Sequence, residues 1–223
     1  MIINDLHKRQ CTFNFSTYLD KYKQSFGALY LFNDEVIAAG SSPLDMEVKE
    51  LSYVILIPIT GDLLYKGTNG GHLTITIGQI LISCLPAGSI FKVENPYAEE
   101  EINFLQIWIK TKSREAKPFT RLLDFDLHEH QNSLIPLTKD LDNTRANKIP
   151  FRLSIGQFTG REEAVYKMNN SRSSLFSFVL AGAFEIDGRL LHPRDGLALW
   201  STNEAEMEAL SNNAVVLTVE LLS

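Results

Sequence analysis

Ile102-Asn-Phe-Leu-Gln-Ile-Trp-Ile109 decides the fold class of this 223-residue chain. Apolar side chains recur at alternate positions, the period of an extended strand whose successive side chains point to opposite faces. Leu73-Thr-Ile-Thr-Ile77 and Phe151-Arg-Leu-Ser-Ile155 repeat the alternation, and stretches with a helical period are few. Between such runs lie the turn signals Thr60-Gly61-Asp62, Asn69-Gly70-Gly71, Ile186-Asp187-Gly188 and Arg194-Asp195-Gly196. Their spacing suits antiparallel hairpins, so the expected class is an all-β sandwich or barrel.

The two halves echo each other. Leu51-Ser-Tyr-Val-Ile-Leu56, then Gly78-Gln-Ile-Leu81, then Ile102 to Ile109 correspond to Leu175-Phe-Ser-Phe-Val-Leu180, then Asp195-Gly-Leu-Ala198, then Val215 to Leu222. Two tandem copies of one small barrel would give this order. The stretch from Lys110 to Pro150, rich in charge and in Asn, Thr, Lys and Pro, breaks the alternation. The expected organisation is a first barrel over 1–118, a connection over 119–150 and a second barrel over 151–223.

Composition narrows the function. The chain is 44% hydrophobic and 22% charged, as in an ordinary globular protein. Its formal net charge of -6 works against binding phosphate backbones, which needs clustered positive charge, so direct nucleic-acid binding is not expected. No apolar run approaches the roughly 18 to 20 residues that span a bilayer. The segment Met1-Ile-Ile-Asn-Asp-Leu-His-Lys-Arg9 lacks the pattern of an export signal, so a cytoplasmic location is expected. Cys11 and Cys84, far apart, form neither a disulfide framework nor a paired-Cys motif and read as reduced structural thiols.

With these residues in hand, the chain resembles the pirin-like bicupins. Phe26-Gly-Ala-Leu-Tyr-Leu-Phe-Asn-Asp-Glu-Val-Ile-Ala-Ala-Gly40 looks like the family's entry into its first barrel. Asp45-Met46-Glu47 before the strand Leu51 to Leu56, then Ala87-Gly88-Ser89-Ile90, then Asn103 to Ile109 look like its following blocks, and Asp187 through Leu199 like its second barrel. The resemblance implies two tandem cupin barrels, the first holding a metal ion, often iron, on three histidines and a glutamate. Counted against the family's pattern, the first histidine pair falls on Ser41 and Pro43, and the last His and the Glu fall on Lys92 and Glu94. Only Glu94 keeps a family ligand. A lone carboxylate does not hold a transition metal against water, so a degenerate site with no metal cofactor is expected. Quercetin dioxygenase activity, which some members resemble, loses its metal on this count. Lys92 and Glu94 stand two apart on an expected strand: either both point into the barrel, where the Lys92 ammonium would replace the metal's charge beside Glu94, or a twisted or short strand lets both side chains reach water.

Other candidate chemistry is sparse. His128 and His130, in Asp126-Leu-His-Glu-His130, share a face on an extended segment but have no second ligand pair at barrel spacing and read as a solvated connection. His72 and His192 read as turn residues, Asp45 and Glu47 as solvated carboxylates, and Glu99-Glu100-Glu101 as an exposed loop. No phosphate-binding loop, nucleophile elbow or paired-Cys zinc motif is present. By their alternation Tyr53, Phe91, Phe104 and Trp108 are candidates to line the first barrel, with core packing the leading role for each. The expected function is that of a non-catalytic module binding a small-molecule ligand or a protein partner. The alternative is a quercetin 2,3-dioxygenase-like oxidoreductase with atypical ligands. The sequence leaves ligand, partner and oligomeric state open.

Overall fold

The computed structural model describes residues 10–11, 25–67, 70–111, 113, 116–139, 141 and 149–223. The chain divides into two compact units, 1–124 and 125–223. No helix occurs among the described residues, and the expected all-β class holds throughout.

The first unit contains β1 (Gln10–Cys11), β2 (Leu29–Ile37), β3 (Leu44–Glu47), β4 (Ser52–Thr60) and β5 (Leu63–Lys66). It continues with β6 (His72–Ile75), β7 (Gln79–Leu85), β8 (Ile90–Glu94), β9 (Ile102–Lys110) and β10 (Phe119–Asp124). They form a large sheet in the order β1-β2-β9-β4-β7-β10 and a small sheet in the order β3-β8-β5-β6. Apolar residues from both sheets meet in one core, including Val54, Leu56, Phe104 and Trp108 from the large sheet and Met46, Tyr65, Phe91 and Val93 from the small one.

The second unit contains β11 (Ile135–Pro136), β12 (Phe151–Phe158), β13 (Glu163–Lys167), β14 (Ser174–Ala181) and β15 (Phe184–Ile186). It ends with β16 (Arg189–Leu191), β17 (Gly196–Trp200), β18 (Glu204–Ala209) and β19 (Ala214–Leu221). Its sheets run β11-β12-β19-β14-β17 and β13-β18-β15-β16. The orders β2-β9-β4-β7 and β12-β19-β14-β17 match strand for strand, as do β3-β8-β5-β6 and β13-β18-β15-β16. The echoed segments thus occupy equivalent places, β4 with β14, β7 with β17 and β9 with β19. Within 119–150, Phe119–Asp124 pairs with β7 over its whole length and Ile135–Pro136 pairs with β12. Part of that stretch, 140 and 142–148, lies outside the described residues.

Local chemistry explains the turns. Asp187 and Gly188, which join β15 to β16, both have positive φ (50° and 72°), the requirement of a two-residue hairpin that matches strand twist. Gly61 has φ 73°, and a Cβ there would lie 2.6 Å from Ile102 Cγ2, so both conformation and space require glycine. Pro58 has no N–H to donate, and the β4–β9 register shifts between Pro58 and Thr60, the irregularity that admits a proline in a central strand.

The second unit carries a buried charge. Glu220 on β19 is fully buried; its Oε2 accepts from the Tyr166 hydroxyl at 3.0 Å and its Oε1 from the Asn169 backbone N–H at 2.6 Å. Arg152, half-exposed, lies 3.6 Å from the carboxylate and donates to Asn169 Oδ1 at 3.0 Å. Burial first, and then the Glu220 charge, push the Tyr166 phenol well above its ordinary range, keeping it a donor. Charge-assisted hydrogen bonds of this kind contribute about 1.5 to 3 kcal/mol. Tyr166→Phe should therefore lower the urea midpoint by an amount equivalent to about 1.5 to 3 kcal/mol without changing the denaturant slope, measured by equilibrium unfolding.

Candidate functional site

The positions singled out by the sequence gather around β3 and β8, which pair with Asp45 opposite Lys92 and Met46 opposite Phe91. Alternation along β8 sends Phe91 and Val93 into the core and turns Lys92 and Glu94 away from it. On β3 it sends Met46 inward and Asp45 and Glu47 outward. The reading in which Lys92 and Glu94 both enter the barrel is corrected here. Faces alternate with every residue, so a count displaced by one exchanges inside for outside.

The two side chains also do not pair with each other. Lys92 Nζ lies 3.0 Å from Asp45 Oδ1, with both side chains about half-exposed or more. Glu94 instead accepts from Lys66 Nζ at 2.6 Å, across the β5–β8 pairing, and that side chain is 17% exposed. Ser41 is exposed and donates through Oγ to the Ala38 carbonyl at 2.8 Å; Pro43 is exposed too.

Inside the first unit, aromatic rings occupy the space between the sheets. Phe91 lies 5.5 Å from Tyr65 and 5.8 Å from Trp108, centroid to centroid, and Tyr30 meets Trp108 edge-on at 6.0 Å. Phe91, Phe104 and Trp108 line the interior as expected. Tyr53 does not: Val54 and Leu56 take the inner face of β4, and Tyr53 on the other face sits beside Phe119 and Cys84.

A polar group at the interior's large-sheet wall escaped the sequence reading. Asn33 Nδ2 donates to Glu35 Oε1 at 3.0 Å. Gln106 Nε2 donates to the same oxygen at 2.8 Å, and Gln106 Oε1 accepts from Trp108 Nε1–H at 2.8 Å. All four residues are 1% exposed or less. Their one visible signal was polarity at alternate positions of β2 and β9 within apolar runs, where a half-buried strand would look the same.

The family's metal requires histidines at positions that converge on the interior. Met46, Phe91 and Val93 stand on the inner faces of β3 and β8, and none offers a suitable donor for iron. Among the described residues, no three His, Cys, Asp or Glu side chains converge as a metal site. The described residues on these inner faces do not fit the metal. His7 and Asn69 lie outside the described residues, as do the side chain of Cys11 and part of the 110–150 stretch. His128 and His130 are exposed in a turn, where the His128 N–H donates to Asp126 Oδ1 at 2.7 Å. His192, also exposed, donates its backbone N–H to Asp195 Oδ2 at 2.8 Å.

A pocket of about 710 Å³ opens on the flank of the first unit where β5 and β6 approach β7 and β10. Its lining includes Tyr65, His72, Leu73, Leu85, Phe119 and Thr120, and the turn 86–89 that enters β8.

Residues 150–221 match the family described as the quercetinase C-terminal cupin domain. A quercetin 2,3-dioxygenase of Escherichia coli K12 is 26% identical over 212 residues, covering 92% of this chain and 88% of the relative. A pirin-like protein of Caulobacter vibrioides is 25% identical with the same coverages. The bacterial pirin YhhW of Escherichia coli, solved in complex with nickel(II), superposes with a TM-score of 0.85 at 22% identity, over 99% of this chain and 94% of its own. The chain is similar to the pirin-like bicupins along nearly its whole length. Its fold is two tandem cupin domains, as the duplicated strand orders require.

Two measurements probe this pirin-like site. The Lys66–Glu94 contact is the more buried of the two ion pairs on the small sheet, so Lys66→Met should cost about 1 to 3 kcal/mol in urea unfolding. Lys92→Met, which removes an exposed pair, should cost about 0 to 1 kcal/mol. Burial first, and then the neighbouring Cys84, push the Tyr53 phenol from its ordinary 10 up to about 12. A raised folded value means that stability is intact below pH 10 and declines as pH rises towards 12. Thermal melts across that window should show the decline, and Tyr53→Phe should remove part of it.

Proposed function

We propose that this pirin-like bicupin is a non-catalytic module that binds a small molecule and performs no metal chemistry in its first barrel. The observation that carries the reading is the inner face of β3 and β8, where Met46, Phe91 and Val93 point at the place from which metal ligands would have to come. The aromatic contacts of Phe91 with Tyr65 and Trp108 support it, because ligand histidines and an ion would have to share that volume. Among the described residues, no charged side chain stands ready there to activate oxygen or take a substrate proton, apart from Glu35, whose carboxylate already accepts from Asn33 and Gln106.

The rival reading is a quercetin 2,3-dioxygenase-like oxidoreductase, favoured by the names of the Escherichia coli relatives. It would need a ligand set other than Ser41, Pro43, Lys92 and Glu94. A protein partner in place of a small molecule is a variant of the first reading. Ordering of loops about such a partner would leave the metal argument unchanged.

Elemental analysis of the purified chain decides between the two main readings. Iron, nickel, zinc and copper should each stay well below one atom per chain. Oxygen consumption with quercetin should match a no-protein control before and after iron is added. Stoichiometric metal together with iron-dependent oxygen uptake would overturn the non-catalytic reading.

A further inference from the structure

The flank pocket of the first unit shares no residue with Ser41, Pro43, Lys92 or Glu94. It lies where the two sheets part, between the β5–β6 hairpin and the β7–β10 edge. At about 710 Å³ it is of the size that encloses a drug-sized molecule. Three features define what it can hold.

Its walls are largely apolar. Leu73, Leu85, Pro118 and Phe119 are among its lining residues, and Phe119 supplies an aromatic ring. Two hydroxyl-bearing side chains, Tyr65 and Thr120, are part of its lining, and Thr120 Oγ1 accepts from Ser83 Oγ at 3.0 Å. Burial holds the Tyr65 phenol protonated, and hydroxyls both donate and accept, so the cluster can reorganise to meet a ligand O–H. Finally, among the described residues that line the pocket none is Lys, Arg, Asp or Glu, and of these described side chains only His72 can carry a charge near neutrality. An ionised ligand would lose its hydration and gain no counter-charge.

We infer that this pocket is a binding site for an uncharged, planar aromatic molecule bearing a hydroxyl group, which stacks on Phe119 and bonds to the Thr120 hydroxyl. The inference rests on the reading of the chain as a small-molecule binder and supplies that reading with a place and a ligand class. The site borders the barrel interior through Tyr65, whose ring also packs on Phe91, and leaves the inner faces of β3 and β8 untouched.

The test uses the full chain and 2-naphthol, which is neutral at pH 7, followed by its fluorescence. Saturable one-to-one binding is expected, and naphthalene-2-sulfonate, with the same rings and an anionic group, should bind at least tenfold more weakly. Gly71 lines the pocket, lies outside the left-handed region, and has nothing within 4 Å of the place a Cβ would take. Gly71→Trp should therefore fold normally, as checked by circular dichroism and thermal melting, and weaken 2-naphthol at least tenfold. Thr120→Val removes one hydroxyl and should weaken 2-naphthol several-fold, in line with one hydrogen bond, while leaving unsubstituted naphthalene unaffected. Lys92→Met, outside the pocket, should change neither. Absence of saturable binding, binding that Gly71→Trp leaves unchanged, or equal affinity for the sulfonate would each overturn the assignment. Metal content and oxygen uptake, measured separately, decide the non-catalytic reading. A metal-free, inactive chain that ignores 2-naphthol sinks the pocket alone, and a metal-loaded, active chain that binds it as described sinks the non-catalytic reading alone.

Discussion

The contact of the Phe91 ring with Tyr65 on one side and Trp108 on the other is the constraint around which the first unit is organised. Phe91 and Tyr65 belong to the small sheet and Trp108 to the large one, so the contact sets how the two sheets face each other. Its directionality fixes the phase of β8. With Phe91 inward, Val93 must follow and Lys92 and Glu94 must face out. Glu94 then finds Lys66 on the neighbouring β5, and Lys92 finds Asp45 on β3. A replacement of Phe91 by a ligand-sized polar group would ask the same volume to hold an ion or water instead of packed rings, and dense interiors tolerate such exchanges poorly.

The two units use one strand plan for different interiors. On β9 the inner face carries Gln106 and Trp108, tied to Glu35 through hydrogen bonds. The inner face of β19 carries Thr218 and Glu220, with Thr218 standing between Ser154 and Ser177 on the adjacent strands. In each unit a buried carboxylate is tolerated because several donors converge on it, Asn33 and Gln106 in one case, Tyr166 and the Asn169 N–H in the other.

Strand identity and duplication were legible in the sequence because both are local or repeated properties. The runs around Leu51, Ile102 and Val215 became β4, β9 and β19, and Asp187-Gly188 became the tight turn its composition demands. The phase of a strand is a different matter. Nothing in Phe91-Lys-Val-Glu94 says which pair faces inward until the opposite sheet is in place, and an alignment count displaced by one residue inverts the answer. Tyr53 fell to the wrong face for a related reason, since Leu51 to Ile59 is apolar on both faces and gives no phase at all. The Asn33, Glu35 and Gln106 group was unreadable because its sense lies in pairing between β2 and β9, at distances in sequence that no local pattern spans. The flank pocket depends on β10, a strand placed within a stretch whose composition resembled a connection.

That added strand has a consequence for how the duplicate halves breathe. In the first unit β10 runs along β7 and satisfies its outer row of backbone groups, whereas the corresponding β17 is the last strand of its sheet among the described residues. Among the described residues, two units with one topology therefore end their large sheets on non-equivalent strands. Opening in the second can begin at β17 by losing one ladder, while β7 must part from neighbours on both sides. The two units share one architecture, and a six-residue strand makes them unequal in where they come undone.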